Sequence, residues 1–228
     1  MDNDLQEITN RIIQKAKSQK PTGQKSKVAG KFSPEELEKH GIYKRFENIT
    51  FASIESKGLP RDEEIRKNYG IVKNYVTKLD ENIEDGIGLI LAGGYGTMKS
   101  TMAIAVLRYQ VERGQGGLFV PMCSLIDNLF TMNRLSKEEC ARYEERIRKT
   151  PLLILDDLGS ENTDQSWVLS KVNSIITERY NRQRPIIITT NIGKGKIADT
   201  YSGRILDRLR STSHYLVFTG ESQREAVS

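Results

Sequence analysis

The stretch that most constrains the fold is Leu89-Ile-Leu-Ala-Gly93-Gly94-Tyr95-Gly96-Thr97-Met98-Lys99-Ser100-Thr101, where an apolar run breaks into glycines and re-forms as a helical pattern over Met102–Val111. A strand, a glycine-rich turn, Lys-Ser and a helix in that order suit a loop that holds phosphate. Glycines let backbone N–H groups converge on phosphate oxygens, and the helix N-terminus adds partial positive charge. Lys99 would neutralise the outer phosphates and the Ser100 hydroxyl would ligate Mg²⁺, with Gly93 to Thr101 forming the cradle. The spacing meets GxxxxGK[ST] at every fixed position but one: Met98 stands where the glycine before the lysine belongs. If that position demands a left-handed backbone, a non-glycine residue costs about 1–2 kcal/mol. Expressed fully in binding, that would weaken a nucleotide roughly ten- to thirtyfold. The competing reading is an ordinary strand-to-helix turn with a chance Lys-Ser. A dinucleotide fingerprint fits worse, because no GxGxxG occurs in the stretch.

Downstream, Pro151-Leu-Leu-Ile-Leu-Asp156-Asp157-Leu-Gly159 places two acids at the end of a second apolar strand. A carboxylate there can hold Mg²⁺ through its water shell, a role assigned to Asp156. Asp157 is placed to polarise an attacking water. A third run, Arg184-Pro185-Ile-Ile-Ile-Thr189-Thr190-Asn191, carries an amide at its strand end, where open α/β sheets gather ligand groups. Asn191 could bond a γ-phosphate or orient water, or serve simply as a turn residue. Arg204 and Arg208 lie four apart on one helix face, spaced either for a salt-bridged surface or for an arginine finger.

From Gly86 onward, strands expected at 87–92, 117–121, 152–156, 186–190 and 214–219 alternate with helices at about 100–112, 122–132, 136–149, 164–181 and 203–210. That alternation, with uninterrupted apolar strands, predicts an α/β fold on a parallel sheet. Ahead of it, Ser33-Pro34-Glu35-Glu36 reads as a helix start, and 61–80 as an amphipathic helix. Residues 4–18 carry Leu5, Ile8, Ile12 and Ile13 at helical spacing. The chain's net charge of +5 is concentrated in Arg11–Lys31, which contains seven cations and no acid. Such an arm can attract phosphates or simply remain solvated. The chain is divided accordingly into a basic extension over 1–40 and a module over 41–228. No apolar run approaches the roughly 20 residues of a membrane span. The acidic N-terminus does not read as a secretory signal, and two cysteines without CxxC spacing do not make a metal or disulfide scaffold. The expected location is the cytoplasm. His40, His214, Trp167 and Tyr180 read as packing residues.

The succession GGYGTMKS, LLILDDLGSE, ERYNRQRPIIITTN, GRILDRLR and GESQRE resembles the bacterial and phage replicative-helicase loaders DnaC and DnaI, AAA+ ATPases to which the transposition helper IstB is closely related. The resemblance runs from about Gly41 to the C-terminus, and the chain's small size would suit a phage-encoded member. It implies a five-stranded parallel sheet with flanking helices, a lid domain reduced or absent, and an ATPase using ATP/ADP and Mg²⁺. It places Lys99 and Ser100 as the Walker A lysine and hydroxyl, with Asp156 and Asp157 as the Walker B acids. By the same likeness Asn191 is sensor I, Arg208 (or Arg204) is the finger for a neighbouring subunit's ATP, and Arg224 is the sensor II arginine. Implied partners are a DnaB-type replicative helicase hexamer, single-stranded DNA through the 122–149 region, and further copies of the chain; no membrane is implied. The first 40 residues would dock the helicase. Two alternatives stay open: an IstB-like transposition helper, and a nucleotide-insensitive adaptor whose Met98 blocks the site.

Overall fold

The computed structural model describes residues 32–160 and 166–223, all within a compact unit that begins at Phe32. The helix expected over 4–18, the basic arm and Arg224 lie outside the described residues. In chain order the helices are α1 (Pro34–Glu38), α2 (Phe51–Lys57), α3 (Glu63–Thr77), α4 (Leu79–Glu84), α5 (Lys99–Glu112), α6 (Met122–Leu135), α7 (Lys137–Lys149), α8 (Ser166–Asn181), α9 (Lys194–Tyr201) and α10 (Gly203–Thr212). The strands are β1 (Gly88–Gly93), β2 (Gly117–Pro121), β3 (Leu152–Leu158), β4 (Ile186–Thr190) and β5 (Ser213–Phe218). All five pair in parallel, in the order β2-β3-β4-β1-β5.

The uninterrupted apolar strands feed two cores. Alternate side chains leave a strand on opposite faces. Leu89 and Leu91 therefore pack with α3 and α5 on one face, and Ile90 packs with α6, α8 and α10 on the other. β3 divides in the same way, Leu152 and Ile154 against Leu153 and Leu155. Helix α5 is apolar nearly all round, with Met102 to Leu107 fully buried, because it is roofed by α2 and α3 as well as seated on the sheet.

Helix starts follow capping chemistry. Ser33 and Glu36 form a reciprocal capping box at α1, and Asp62 accepts from Ile65 N at 2.8 Å at α3. The helix expected over 61–80 is divided at Lys78, whose φ of −115° breaks the helical run between α3 and α4. Residues 32–40, assigned from sequence to the extension, pack with the module. Leu37 is buried, and His40 O accepts from Phe119 N at 2.8 Å, covering the outer edge of β2. Gly41 makes this approach possible: at φ 76° a Cβ there would stand 2.0 Å from Phe119 O. His40 Nδ1 bonds Gly117 O at 2.8 Å, which is the structural role expected of it.

The connections from β1 and β4, neighbours in the sheet, leave on opposite faces: α5 belongs to one core, and α9 and α10 to the other. Such a switch point opens a crevice at the carboxyl ends of the strands. The phosphate loop, the acids of β3 and Asn191 all fall there.

Candidate nucleotide site

Tyr95 to Thr101, Asp156, Asp157, Thr189 and Asn191 line one cavity of about 290 Å³, together with Arg45, Phe46 and Gln223. That is near the lower end of ligand-binding clefts, about 300–1,000 Å³. Lys99 is only 7% exposed, so its ammonium needs partners. Its Nζ donates to Gly93 O (2.9 Å), Gly94 O (2.5 Å) and Asn191 Oδ1 (2.9 Å). Asn191 Nδ2 in turn donates to Asp157 Oδ1 at 2.5 Å. A polar chain therefore joins the loops after β1, β3 and β4, as the three motifs read together lead one to expect.

Met98 adopts φ 70°, ψ 9°, the left-handed conformation its position was expected to demand. The side chain packs against the apolar core that also receives Phe46. A non-glycine residue held in that conformation costs about 1–2 kcal/mol.

The β3 acids depart from regular strand geometry. The β3–β4 register shifts between Leu155 and Leu158, and Asp157 has φ 62°. A bulge of this kind re-aims side chains next to functional sites, and a left-handed aspartate stores about 1–3 kcal/mol of strain. Thr189, which sequence reasoning left unassigned, fixes the bulge. Its hydroxyl donates to Asp156 Oδ1 at 2.7 Å and accepts from Asp157 N at 2.9 Å, in a side chain 1% exposed. In sequence it reads as a β-former in a buried strand; only the doubled Thr before Asn191 hinted otherwise.

Arg45 and Phe46 were also unassigned. They lie on a 3₁₀ turn (Lys44–Phe46) ahead of the sheet and close the cavity beside Met98, supplying a cation and an aromatic ring. The segment after β5 comes back over the loop: Gln223 N donates to Gly96 O at 2.9 Å, and a Cβ on Gly96 (φ 73°) would stand 2.0 Å from Ser222 Oγ. Arg204 and Arg208 do not line this cavity. Both are on α10; Arg204 is exposed, and half-buried Arg208 lines a different cavity at the opposite end of the sheet.

Among the described residues no cluster of three His, Cys, Asp or Glu could form a metal cage. Ser100 and Asp156 nevertheless present hard oxygens to the same cavity, and Mg²⁺ is ordinarily held by one or two such ligands with phosphate and water completing the shell. The residues present fit that ion.

The fold and site define a P-loop nucleotide-binding module of the AAA+ type. The chain belongs to the IstB-like ATP-binding protein family, whose model matches residues 37–228. Among curated relatives, it is 24% identical over 152 residues to the replicative helicase loader DnaI of Bacillus subtilis, covering 61% of this chain and 48% of that protein. It is 27% identical over 183 residues to the putative insertion sequence ATP-binding protein y4pL of Sinorhizobium fredii, covering 77% and 73%. The match thus spans about half of DnaI and nearly three-quarters of y4pL. Among solved structures, the DnaC helicase loader aligns with TM-score 0.68 at 25% identity, over 77% of this chain and 99% of that one. DnaI aligns with TM-score 0.62 at 23% identity, over 78% and 91%.

The 122–149 region was expected to contact single-stranded DNA. On α7, Arg148 pairs with Glu144 and Glu178, and Lys149 pairs with Glu145, so much of its charge is neutralised locally. Trp167 packs as expected, partly buried against the core and stacked on exposed Phe130 at 6.2 Å, whereas Tyr180 is 41% exposed beneath Arg208. No helix among the described residues is long and apolar enough to cross a membrane.

Proposed function

We propose that this protein is an ATP-dependent loader of a replicative DNA helicase, placing a DnaB-type hexamer on single-stranded DNA. The observation that carries the reading is the likeness to the DnaC loader over 99% of that chain, joined to Lys99, Ser100, Asp156, Asp157 and Asn191 lining one cavity. ATP enters with its outer phosphates against Lys99 and the loop amides, and Lys99 exchanges its Asn191 and carbonyl contacts for phosphate oxygens. Mg²⁺ arriving with the nucleotide would be held by Ser100 and Asp156 and supplies charge neutralisation at the phosphates. Asp157, aimed by the bulge, accepts the proton of an attacking water, and Asn191 orients that water or the γ-phosphate. Arg208 completes the site of an adjacent copy, so hydrolysis depends on self-assembly and is slow in the isolated chain. Hydrolysis resets a conformation that holds the helicase.

A second reading, an IstB-like helper that places a transposase on target DNA, is favoured by the family assignment and by y4pL, whose match covers more of this chain than that of DnaI. Light scattering on a gel-filtration column separates the two, with the full chain mixed with the host's replicative helicase in the presence and absence of Mg-ATP. A co-eluting complex that is lost when residues 1–31, which precede the compact unit, are removed supports the loader. No complex in any condition, with tight binding to duplex DNA, favours the transposition helper.

A further inference from the structure

A second cavity, about 530 Å³, opens at the end of the sheet where β4 and β5 begin, at Ile186 and Ser213. Its walls come from Asp85 and Gly86 before β1, Gln183 and Arg184 between α8 and β4, and Arg208 on α10. The wall is rigid for identifiable reasons. Arg179 of α8 is fully buried and donates to the carbonyls of Ile147 (2.9 Å), Thr150 (2.9 Å) and Pro185 (2.8 Å), tying the α7–β3 connection to the α8–β4 connection. Gln183 is left-handed at φ 51°, and a Cβ on Gly86 would lie 2.8 Å from the Gln183 carbonyl carbon.

The cavity carries more positive than negative charge. Arg179, Arg184 and Arg208 line it against Asp85 alone. Arg208 is held by a 2.5 Å bond to Thr177 Oγ1 and by the Tyr180 ring 5.6 Å away. Among the described residues neither Arg184 nor Arg208 has an ion-pair partner; nearby Glu178 is engaged by Arg148 and Arg182. Burial, and then the charge of Arg184, push Arg179 down to about 9, leaving it protonated at neutral pH. Two guanidinium-bearing side chains lining one recess, Arg208 held in place and Arg184 beside it, suit a compact anion with several oxygens, such as a terminal phosphate. A nucleic-acid backbone would need a charged stripe instead.

We propose that Arg184 and Arg208 together form a receiving site for the triphosphate of a nucleotide bound to a second copy of this chain, with Arg184 as a second cation acting in trans. The chain's own nucleotide cavity lies at the far ends of strands of five to seven residues, about 17–23 Å away, beyond the reach of an arginine side chain. The inference rests on the reading of Arg208 given above. Its test measures ATP turnover of Arg184→Ala and Arg208→Ala, each alone and mixed with Lys99→Ala. Own-site binding of a fluorescent ATP analogue, thermal melting and nucleotide-dependent light scattering are followed in parallel. Arg184→Ala is expected to melt normally, bind the analogue with unchanged affinity and lose about 10²-fold in turnover. Adding Lys99→Ala, which supplies an intact Arg184, restores turnover that neither protein has alone, whereas Arg184→Lys, keeping the stem without the fork, recovers only part. Wild-type turnover in Arg184→Ala, or complementation of Arg208→Ala but not of Arg184→Ala, removes Arg184 and leaves Arg208 standing. Failure to complement either, or a wild-type chain that neither turns over nor associates with nucleotide, overturns the trans reading as a whole. A single-stranded oligonucleotide whose binding is lost in both variants would assign the cavity to nucleic acid and overturn the proposal.

Discussion

Replacing Thr189 by Val tests how the β3 acids are held. The substitution is nearly isosteric in a side chain 1% exposed, so packing is retained while the hydroxyl is lost. Two bonds disappear, from Asp157 N at 2.9 Å and to Asp156 Oδ1 at 2.7 Å. The orphaned N–H of Asp157 costs about 1–3 kcal/mol. The lost bond to Asp156 is partly replaced by water, because that carboxylate is half-exposed, and the added methyl returns at most about 0.8 kcal/mol. Net destabilisation of about 1–3 kcal/mol follows, measurable as a lower urea midpoint at unchanged slope. Because the left-handed Asp157 has also lost its anchor, turnover should fall by about 10²-fold, the usual penalty for misplacing a catalytic group by an ångström. Thr189→Ser keeps both bonds and should retain turnover. A Thr189→Val protein with wild-type stability and turnover would refute the view that this hydroxyl sets the bulge.

Three further outcomes are expected. Arg179→Leu strips the buried carbonyl of Ile147 of its Arg179 donor and leaves that of Pro185 only the longer bond from Leu153 N at 3.5 Å, so about 2–4 kcal/mol of stability should be lost in chemical denaturation, a large share of a marginal domain's total. Met98→Gly removes the roughly 1–2 kcal/mol cost of a left-handed non-glycine residue, partly offset by the greater unfolded-chain freedom of glycine, so the urea midpoint should hold or rise rather than fall. Burial raises the Glu144 carboxyl, but hydrogen bonds from Lys171 and Arg148 more than offset this and hold it below 4.5. Its folded value is therefore depressed, so the stabilisation is present above the unfolded value and lost as pH falls through the folded one. Thermal melts should decline on acidification below about pH 4.5, and less steeply in Glu144→Gln.

The sheet was legible almost to the residue. The central strands carry runs such as Leu152–Leu155 whose alternate side chains enter different cores, so hydrophobicity continues unbroken there, although β3 itself extends past the run through Asp156 and Asp157 to Leu158. The phosphate loop and the acids of β3 were legible because their spacing along the chain is also their spacing in the site. What was not legible depended on contacts made from elsewhere. Thr189 works through a bulge in β3, and Arg45 enters from a turn well ahead of the loop it faces. Arg179 answers carbonyls in two separate connections. Helix α9 was not among the expected elements, since Gly193 and Gly195 weaken its helical signal, yet Ile197 and Tyr201 bury one face of it. Helix α2, seven residues long, is too short to establish a period, and it is set by the reciprocal caps of Thr50 and Ser53.

The most direct test of the central claim is a calorimetric titration of the full chain with a non-hydrolysable ATP analogue, with and without Mg²⁺, beside Lys99→Ala. A saturable, Mg²⁺-strengthened site that disappears with Lys99 is the predicted result. Absence of binding, or binding that survives the loss of Lys99, would contradict the assignment of this cavity as the nucleotide site.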